Sequence, residues 1–177
     1  VPSPRHRSGT DRIAEVARKL KNISHVINVQ GDEPLIEPAL INRLAKTLLD
    51  DPGLGMVTAA NAFGPGDDVN NPNAVKVTLG RNGDALYFSR SPIPYPRDTT
   101  QKIAYYRHQG IYGYSLPFLL QFVRWKPAPL EKTEQLEQLR ALENGARIRV
   151  LLTKHASVGV DTPADVAAVE KILASQK

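Results

Sequence analysis

Two aspartates stand where folded chains commonly bind a cation. Asp32 follows the apolar segment 26–30, whose β-branched residues predict a strand covered on both faces. Asp161 comes directly before Thr162-Pro163, the start of a helical pattern. Taken alone, each aspartate is better explained by a structural role, Asp32 as a solvated turn residue and Asp161 as a helix-start residue. If both lie at the sheet edge where open α/β sheets collect ligands, their carboxylates form a Mg²⁺ site suited to phosphate chemistry.

Three further segments carry polar residues of the kind that bind anions and sugars. Ser8 and Arg12 belong to a basic, hydroxyl-rich segment at a helix start, where backbone N–H groups favour an anion and Arg12 can contact a phosphate or a base. Arg90 leaves a strand into a proline-rich turn, which suits recognition of a carboxylate. His108 begins an aromatic strand. The plainer interpretations are a solvated cap, a surface arginine and a semi-buried histidine.

The spacing of apolar residues predicts alternating helices and strands that position these side chains. Helices are expected over 11–20, 38–49, 118–123, 130–144 and a final segment from 163. Strands are expected over 26–30, 55–60, 74–79, 85–88, 108–114 and 147–153. The fold class is α/β, with three α/β/α layers around a mostly parallel sheet and a hairpin excursion near the proline-rich segment 91–96. The acidic face of the 130–144 helix has a plain interpretation as a solvated face.

Composition favours a single enzyme domain, 1–177, in the cytoplasm. There are no cysteines, so a metal must be held by oxygen or imidazole ligands. No apolar run is long enough to cross a bilayer and no signal-peptide pattern is present, which favours a cytoplasmic protein without a membrane partner. The net charge of +5 is spread along the chain. Small anionic substrates explain this charge as well as nucleic acid does, and no basic stripe is evident, so no nucleic-acid partner is expected.

Seven motifs, spread over nearly the whole chain, strengthen these interpretations. They are SGTDR at 8–12, VQGDEPLI at 29–36, NPNAVKV at 71–77, ALYFSRSPIPY at 85–95, YRHQGIYGY at 106–114, PLEKTEQLEQLRAL at 129–142 and GVDTPAD at 159–165. In their residues and in their order along the chain, these motifs resemble those of the 3-deoxy-manno-octulosonate cytidylyltransferases. GVDTP alone would be a weak signal, whereas VQGDEP together with YFSR, RHxGIY and LEQLR is specific.

The resemblance implies a Rossmann-like nucleotidyltransferase sheet and a reaction between CTP and 3-deoxy-D-manno-octulosonate (Kdo). The anomeric hydroxyl of Kdo would attack the α-phosphate of CTP in the presence of Mg²⁺, giving CMP-Kdo and pyrophosphate for lipopolysaccharide biosynthesis. The resemblance also implies a homodimer. Its interface is expected in the excursion at about 91–114, with Tyr95, Tyr105, Tyr106, Ile111 and Tyr112.

Matching motif positions imply a role for each candidate residue. Asp32 and Asp161 would hold the metal. Ser8 and Arg12 would contact the cytidine part of the nucleotide, and Gln30 would lie at the junction of sugar and nucleotide. The sugar pocket would be lined by Arg90, His108, Glu137 and Gln138. Catalysis would then rest on in-line positioning and charge neutralisation.

One departure from the family pattern concerns the triphosphate. Family members begin with a strand and a basic loop of the form PARxxSxRxPxKP, and this sequence starts after that loop. We therefore expect an N-terminally incomplete domain that is inactive with CTP on its own. Two alternatives stay open: a cytidylyltransferase for a related sugar acid, such as an amino-Kdo or a sialic acid, and a remnant that binds nucleotide without turnover.

Overall fold

The structure is a computed structural model that describes residues 6, 8–31, 33–98, 100, 103–155, 160 and 163–175. The helices are α1 (Gly9–Lys19), α2 (Pro38–Asp50), α3 (Leu116–Phe122), α4 (Pro129–Glu134), α5 (Gln138–Glu143) and α6 (Pro163–Ser175). The strands are β1 (His25–Asn28), β2 (Met56–Ala62), β3 (Lys76–Leu79), β4 (Ala85–Ser89), β5 (Tyr106–Ser115) and β6 (Ile148–Thr153). Among these residues, no helix combines the length and the apolar character needed to cross a membrane.

Local signals in the sequence explain where several elements begin. Ser8 caps α1, because its hydroxyl accepts a hydrogen bond from the backbone N–H of Asp11, and Pro38 opens α2. The β3–β4 hairpin closes through Gly80, whose N–H donates to the carbonyl of Asp84. The predicted α/β class is confirmed, as are the α1, α2 and hairpin predictions to within a few residues.

The six strands form one sheet in the order β4-β3-β5-β2-β6, and β1 pairs with β5 beside β3. Strands β1, β2, β3 and β6 point one way, whereas β4 and β5 point the other way. The strand directions are thus mostly parallel, as predicted. However, β5 lies in the middle of the sheet and runs antiparallel to its neighbours β1, β2 and β3. Among the described strands, β2 and β6 are therefore the only neighbours that pair in parallel.

Strand β5 is divided along its length. On one edge it pairs with β3 through residues 106–107 and with β1 through residues 112–115. On the other edge it pairs with β2, and the register shifts between Thr58, opposite Tyr112, and Ala59, opposite Gln109. The shift leaves Gly110 and Ile111 without partners on β2. The ladder of backbone pairing is therefore interrupted in the middle of β5, at Gly110 and Ile111, and we call this interruption the opening.

Helices cover both faces of the sheet and give the predicted three layers. On one face, α2 contributes Leu40, Leu44 and Leu48 to a core with Val57 and Ile111. On the other face, α1, α3 and α5 pack on a larger core, whose buried members include Ala14, Ala17, Met56, Ala60, Tyr114, Phe122 and Leu139. The alternation along β2 between the two clusters is the alternation of side chains expected of a strand covered on both sides.

Some predictions about element bounds and burial are wrong. Strand β1 ends at Asn28, earlier than predicted, and is half-buried; both its faces are covered as predicted, since Val26 packs on the larger core and Ile27 on the α2 core. The helix predicted over 130–144 is two helices, since Gln135 adopts a left-handed conformation with φ of 53°. Ile111 is fully buried in the α2 core, so it offers no surface to a dimer partner, whereas Tyr112 is half-buried and stacks on Tyr114.

We predict that Gly113→Ala destabilises the fold, because the sheet leaves no room for a side chain there. A Cβ at this position would lie 2.7 Å from Val57, 2.9 Å from Ile27 and 2.9 Å from Leu48. Overpacking of this kind costs about 1–3 kcal/mol, measured as a lower urea midpoint at unchanged slope. Gly64→Ala is the matched control, since its nearest contact would be 3.7 Å away. Equal midpoints for the two variants would contradict this packing.

Candidate active site

The opening in the middle of β5 is filled by side chains from the loop after β1. The Nε2 of Gln30 donates a hydrogen bond of 3.2 Å to the carbonyl of Gly110. A Cβ on Gly110 would lie 3.4 Å from that nitrogen and 3.7 Å from Oε1 of Glu33. Glycine at position 110 thus lets two polar side chains approach the backbone of the sheet closely.

A cavity of about 300 Å³ lies beside this opening and brings three predicted site residues together. Arg12, Gln30 and Glu137 line it, along with Gly9, Thr10, Ile13, Asn28, Val29, Gly31 and Tyr112. A second cavity, of about 670 Å³, contains Ser8 and shares Glu137 with the first. Glu137 therefore lies between the two cavities. The same cavities contain the guanidinium of Arg12, the amide of Gln30 and the hydroxyl groups of Ser8 and Thr10.

Glu137 is held by a hydrogen bond from α1. The hydroxyl of Thr10 donates to Oε2 of Glu137 at 2.5 Å, and Tyr114 is buried beside this pair. Burial raises the pKa of Tyr114, so the phenol keeps its proton. The hydrogen bond from Thr10 fixes the carboxylate against α1.

A buried arginine supports the same region from α5. Arg140 donates to both oxygens of Glu131, at 2.8 Å from Nε and 2.5 Å from Nη2, and lies 3.4 Å from Glu137. Burial works to raise the pKa of Glu131, but the hydrogen bonds from Arg140 outweigh it and leave the pKa below its ordinary value. The acidic side chains of this segment are thus structural partners, and the prediction of a merely solvated face is wrong.

Arg90 holds the bend between α4 and α5. Its Nε and Nη2 donate to the carbonyls of Glu134 and Gln135, at 2.7 and 3.4 Å, and its Nη1 donates to that of Pro72 at 2.9 Å. The carboxylate of Glu134 in turn accepts from the hydroxyl of Ser89 and the backbone N–H of Arg90. Among the described residues, these three bonds engage three of the five guanidinium N–H groups of Arg90.

His108 sits at the opening among aromatic rings and bonds to β2. Its ring centroid is 5.0 Å from that of Phe88 and 5.3 Å from that of Tyr112, which lines the smaller cavity. Its Nε2 is 2.9 Å from the hydroxyl of Thr58. Burial lowers the pKa of His108 to about 3, so the imidazole is neutral at physiological pH. His108 can therefore offer a hydrogen bond to a ligand but no positive charge.

Three predicted site residues remain: Gln138, Asp32 and Asp161. Gln138 is buried at the first turn of α5, next to Glu137. Asp32 and Asp161, the predicted metal ligands, lie outside the described residues. Within the described part of the chain, no three His, Asp or Glu side chains group as a metal site. The proposed metal site thus rests on the oxygen-ligand chemistry of two aspartates, which suits a hard dication.

The sequence did not predict a place in the site for three residues that shape it, Thr10, Thr58 and Tyr112; Tyr112 was expected at the dimer interface instead. Thr10 binds Glu137, Thr58 binds His108, and Tyr112 lines the cavity. Thr10 and Tyr112 lie inside motifs recognised in the sequence, so their neighbourhood was visible. Thr58 lies in a strand without any motif, and only the three-dimensional pairing of β2 with β5 brings it to the site.

Comparisons with known proteins agree with this architecture. The sequence profile of the family described as cytidylyltransferase matches residues 1–148. A solved structure of CMP:2-keto-3-deoxy-manno-octonic acid synthetase complexed with CTP superposes with a TM-score of 0.93 at 40% identity, covering 99% of this chain and 72% of that chain. A putative glucose-1-phosphate thymidylyltransferase from Bacillus anthracis, with a TM-score of 0.63 at 11% identity, shares the fold alone. The fold and the sequence together define a cytidylyltransferase.

Relatives narrow the class further. The 3-deoxy-manno-octulosonate cytidylyltransferase of Syntrophus aciditrophicus is 51% identical over 175 residues, which cover 98% of this chain and 71% of that protein. The protein of the same description from Geobacter sulfurreducens is 46% identical over 182 residues, covering 97% of this chain and 71% of that protein. The chain belongs to the 3-deoxy-manno-octulosonate cytidylyltransferase family.

We predict that His108 stays neutral far below the ordinary histidine range. Its imidazole signals in an NMR titration should not shift between pH 7 and pH 5, because its pKa is about 3 instead of 6.5. The unfolded state takes up a proton from about pH 6.5 downward, so this histidine favours folding above that pH and the contribution is lost as pH falls toward 3. A midpoint near 6.5 for His108 in the folded protein would contradict the packing of the ring.

Proposed function

We propose that this chain is the catalytic domain of an enzyme that activates Kdo with CTP, releasing CMP-Kdo and pyrophosphate for lipopolysaccharide biosynthesis. The observation that carries the proposal is the convergence of Arg12, Gln30 and Glu137 on one cavity beside the opening in β5. Relatives about half identical over nearly the whole chain are named for this reaction. Kdo is a hydroxyl-rich acid, and the site offers acceptors, donors and cations close together.

In this reaction the protein itself contributes little covalent chemistry. The anomeric oxygen of Kdo forms a bond to the α-phosphorus of CTP, the bond from that phosphorus to the bridging oxygen breaks, and the electron pair leaves with pyrophosphate. The hydroxyl proton is lost to solvent or to the leaving phosphate. The chain must therefore hold two anionic substrates in line and offset their charge.

The side chains divide into a nucleotide end and a sugar end. Ser8 and Arg12, at the start of α1, contact the cytidine part, where the N-terminus of the helix also favours phosphate oxygens. Gln30, anchored to β5 by Gly110, lies at the junction of the two substrates. The sugar end consists of His108, Glu137, Gln138 and the N–H groups of Arg90 that bond to no described residue.

Mg²⁺ is the proposed cofactor, held by Asp32 and Asp161. In the sequence, Asp32 follows β1 and Asp161 follows β6. These two strands point the same way, so both finish at the same end of the sheet. When bound, the ion would neutralise phosphate oxygens and so favour departure of pyrophosphate. The role of this chain is to supply two carboxylates from separate loops.

A homodimer formed through the excursion after β4 remains part of the proposal. Tyr95 is 86% exposed in this segment, which is uncommon for a large aromatic side chain. Tyr105 and Tyr106 are half-buried nearby. Because Ile111 is buried and Tyr112 lines the smaller cavity, we centre the proposed interface on the part of the excursion around Tyr95.

The proposed reaction is tested by pyrophosphate release from CTP with Kdo, an amino-Kdo and a sialic acid offered separately. The assay uses the 177-residue chain and a version extended to the length of its relatives. We expect the extended protein to release pyrophosphate with Kdo in preference to the other two acids. Release that needs no sugar acid, or a preference for sialic acid, would contradict the proposal.

The metal assignment predicts that Asp32→Asn and Asp161→Asn in the extended protein each lower turnover by on the order of 100-fold or more, because an amide is a poor ligand for a hard dication. Unfolding midpoints report whether the fold is kept. Asp50→Asn is the matched control, since Asp50 is exposed and pairs with Lys46 on α2. A near-normal rate in either variant would remove that aspartate from the site.

The sugar assignment predicts a selective loss. Arg90→Ala and His108→Ala should raise the KM for Kdo by about 10-fold to 100-fold and change the KM for CTP far less, since a hydrogen bond to a charged group is worth about 1.5–3 kcal/mol. Arg81→Ala, an exposed arginine in the β3–β4 turn, is the control. Equal losses for both substrates would place Arg90 and His108 outside the sugar pocket.

A further inference from the structure

Thr58 makes more contacts than one hydroxyl proton can serve. The residue lies in β2 and is fully buried. Its Oγ1 is 2.7 Å from the carbonyl of Ile111, 3.3 Å from that of Gln109 and 2.9 Å from Nε2 of His108. The hydroxyl lies where the register of β2 and β5 shifts, next to the carbonyl of Ile111, a residue that the shift leaves without a register partner.

The positions of these atoms determine where the protons lie. Two oxygens 2.7 Å apart need a proton between them, and a carbonyl has none, so Thr58 donates to Ile111. The hydroxyl then has only lone pairs left for His108. A hydrogen bond at 2.9 Å therefore requires that Nε2 of His108 carry the proton. A neutral imidazole with its proton on Nε2 has an unprotonated Nδ1.

We propose that Thr58 is a positioning residue that fixes His108 as the Nε2–H tautomer, so that Nδ1 accepts a hydrogen bond from a hydroxyl group of the sugar substrate. The use of Nδ1 rests on the function proposed above, whereas the tautomer rests on the geometry of Thr58 alone. Packing against Phe88 and Tyr112 limits rotation of the ring, and the lowered pKa of His108 keeps Nδ1 free of a second proton.

The same hydroxyl stabilises the opening itself. Ile111 has no register partner in the backbone ladder with β2, and the side chain of Thr58 supplies the donor that its buried carbonyl requires. Valine has the shape of threonine but no proton to donate, so Thr58→Val removes both the bond to Ile111 and the acceptor for His108. Thr58→Ser keeps both. The pair of variants thus separates the hydroxyl from the volume of the side chain.

The tautomer is tested by the ¹⁵N NMR signals of His108 in the protein without substrates. We expect a pyrrole-like Nε2 and a pyridine-like Nδ1 in the unaltered protein and in Thr58→Ser, and a mixture of tautomers in Thr58→Val. Thr78→Val is the matched control, because Thr78 also lies in a strand and donates to a backbone carbonyl, that of Tyr87. A proton on Nδ1 in the unaltered protein would overturn the proposal even if Thr58→Val fails to fold.

Kinetics of the extended protein test the use of Nδ1. Thr58→Val should raise the KM for Kdo about tenfold, the loss expected for one misplaced hydrogen bond, with the KM for CTP little changed and Thr58→Ser close to the unaltered protein. If the tautomer is as proposed but KM for Kdo does not change, Nδ1 does not bind the sugar. If Kdo is not a substrate at all while the tautomer holds, the proposed function fails and the positioning role of Thr58 stands.

Discussion

Strand β5 pairs with three other strands, β1, β2 and β3, and the site lies where this pairing is interrupted. One edge of β5 pairs with β3 near its start and with β1 near its end, while the other edge pairs with β2 except at the register shift. The shift leaves Ile111 without a register partner on β2, and the gap between β3 and β1 leaves Gly110 unpaired on the other edge. Thr58 bonds to the carbonyl of Ile111 and Gln30 to that of Gly110, so polar side chains gather where both ladders are interrupted.

The second feature of the site is a bend that carries Glu137. Two arginines hold it: Arg90 bonds to backbone carbonyls at the end of α4, and Arg140 pairs with Glu131. Because these bonds are made within the chain, they exist before any substrate arrives, and Arg140, which is buried, has its charge paired by Glu131. Glu137 and Gln138 are thus placed by a prearranged framework, and substrate binding need not order this segment. Preorganisation of this kind is how positioning contributes to nucleotidyl transfer.

Elements with local signals were predictable from the sequence, and elements set by distant contacts were not. The Ser8 cap, the Pro38 start and the β3–β4 turn are encoded by residues within a few positions. By contrast, the break at Gln135 depends on Arg90, some forty-five residues earlier along the chain. The register shift at Thr58 depends likewise on β5. Motifs identified the neighbourhood of the site, but not the hydrogen bonds that decide which atom of His108 faces a ligand.

The central claim is that sugar and nucleotide meet beside the opened middle of β5. The most direct measurement is a crystal structure of the extended protein with CTP and a Kdo analogue that lacks the attacking hydroxyl. This account predicts that the analogue lies within hydrogen-bond distance of His108 and Glu137, with the α-phosphate of CTP near Gln30. An analogue bound elsewhere, for example in the cavity lined by Leu54, Phe118 and Arg147, would contradict it.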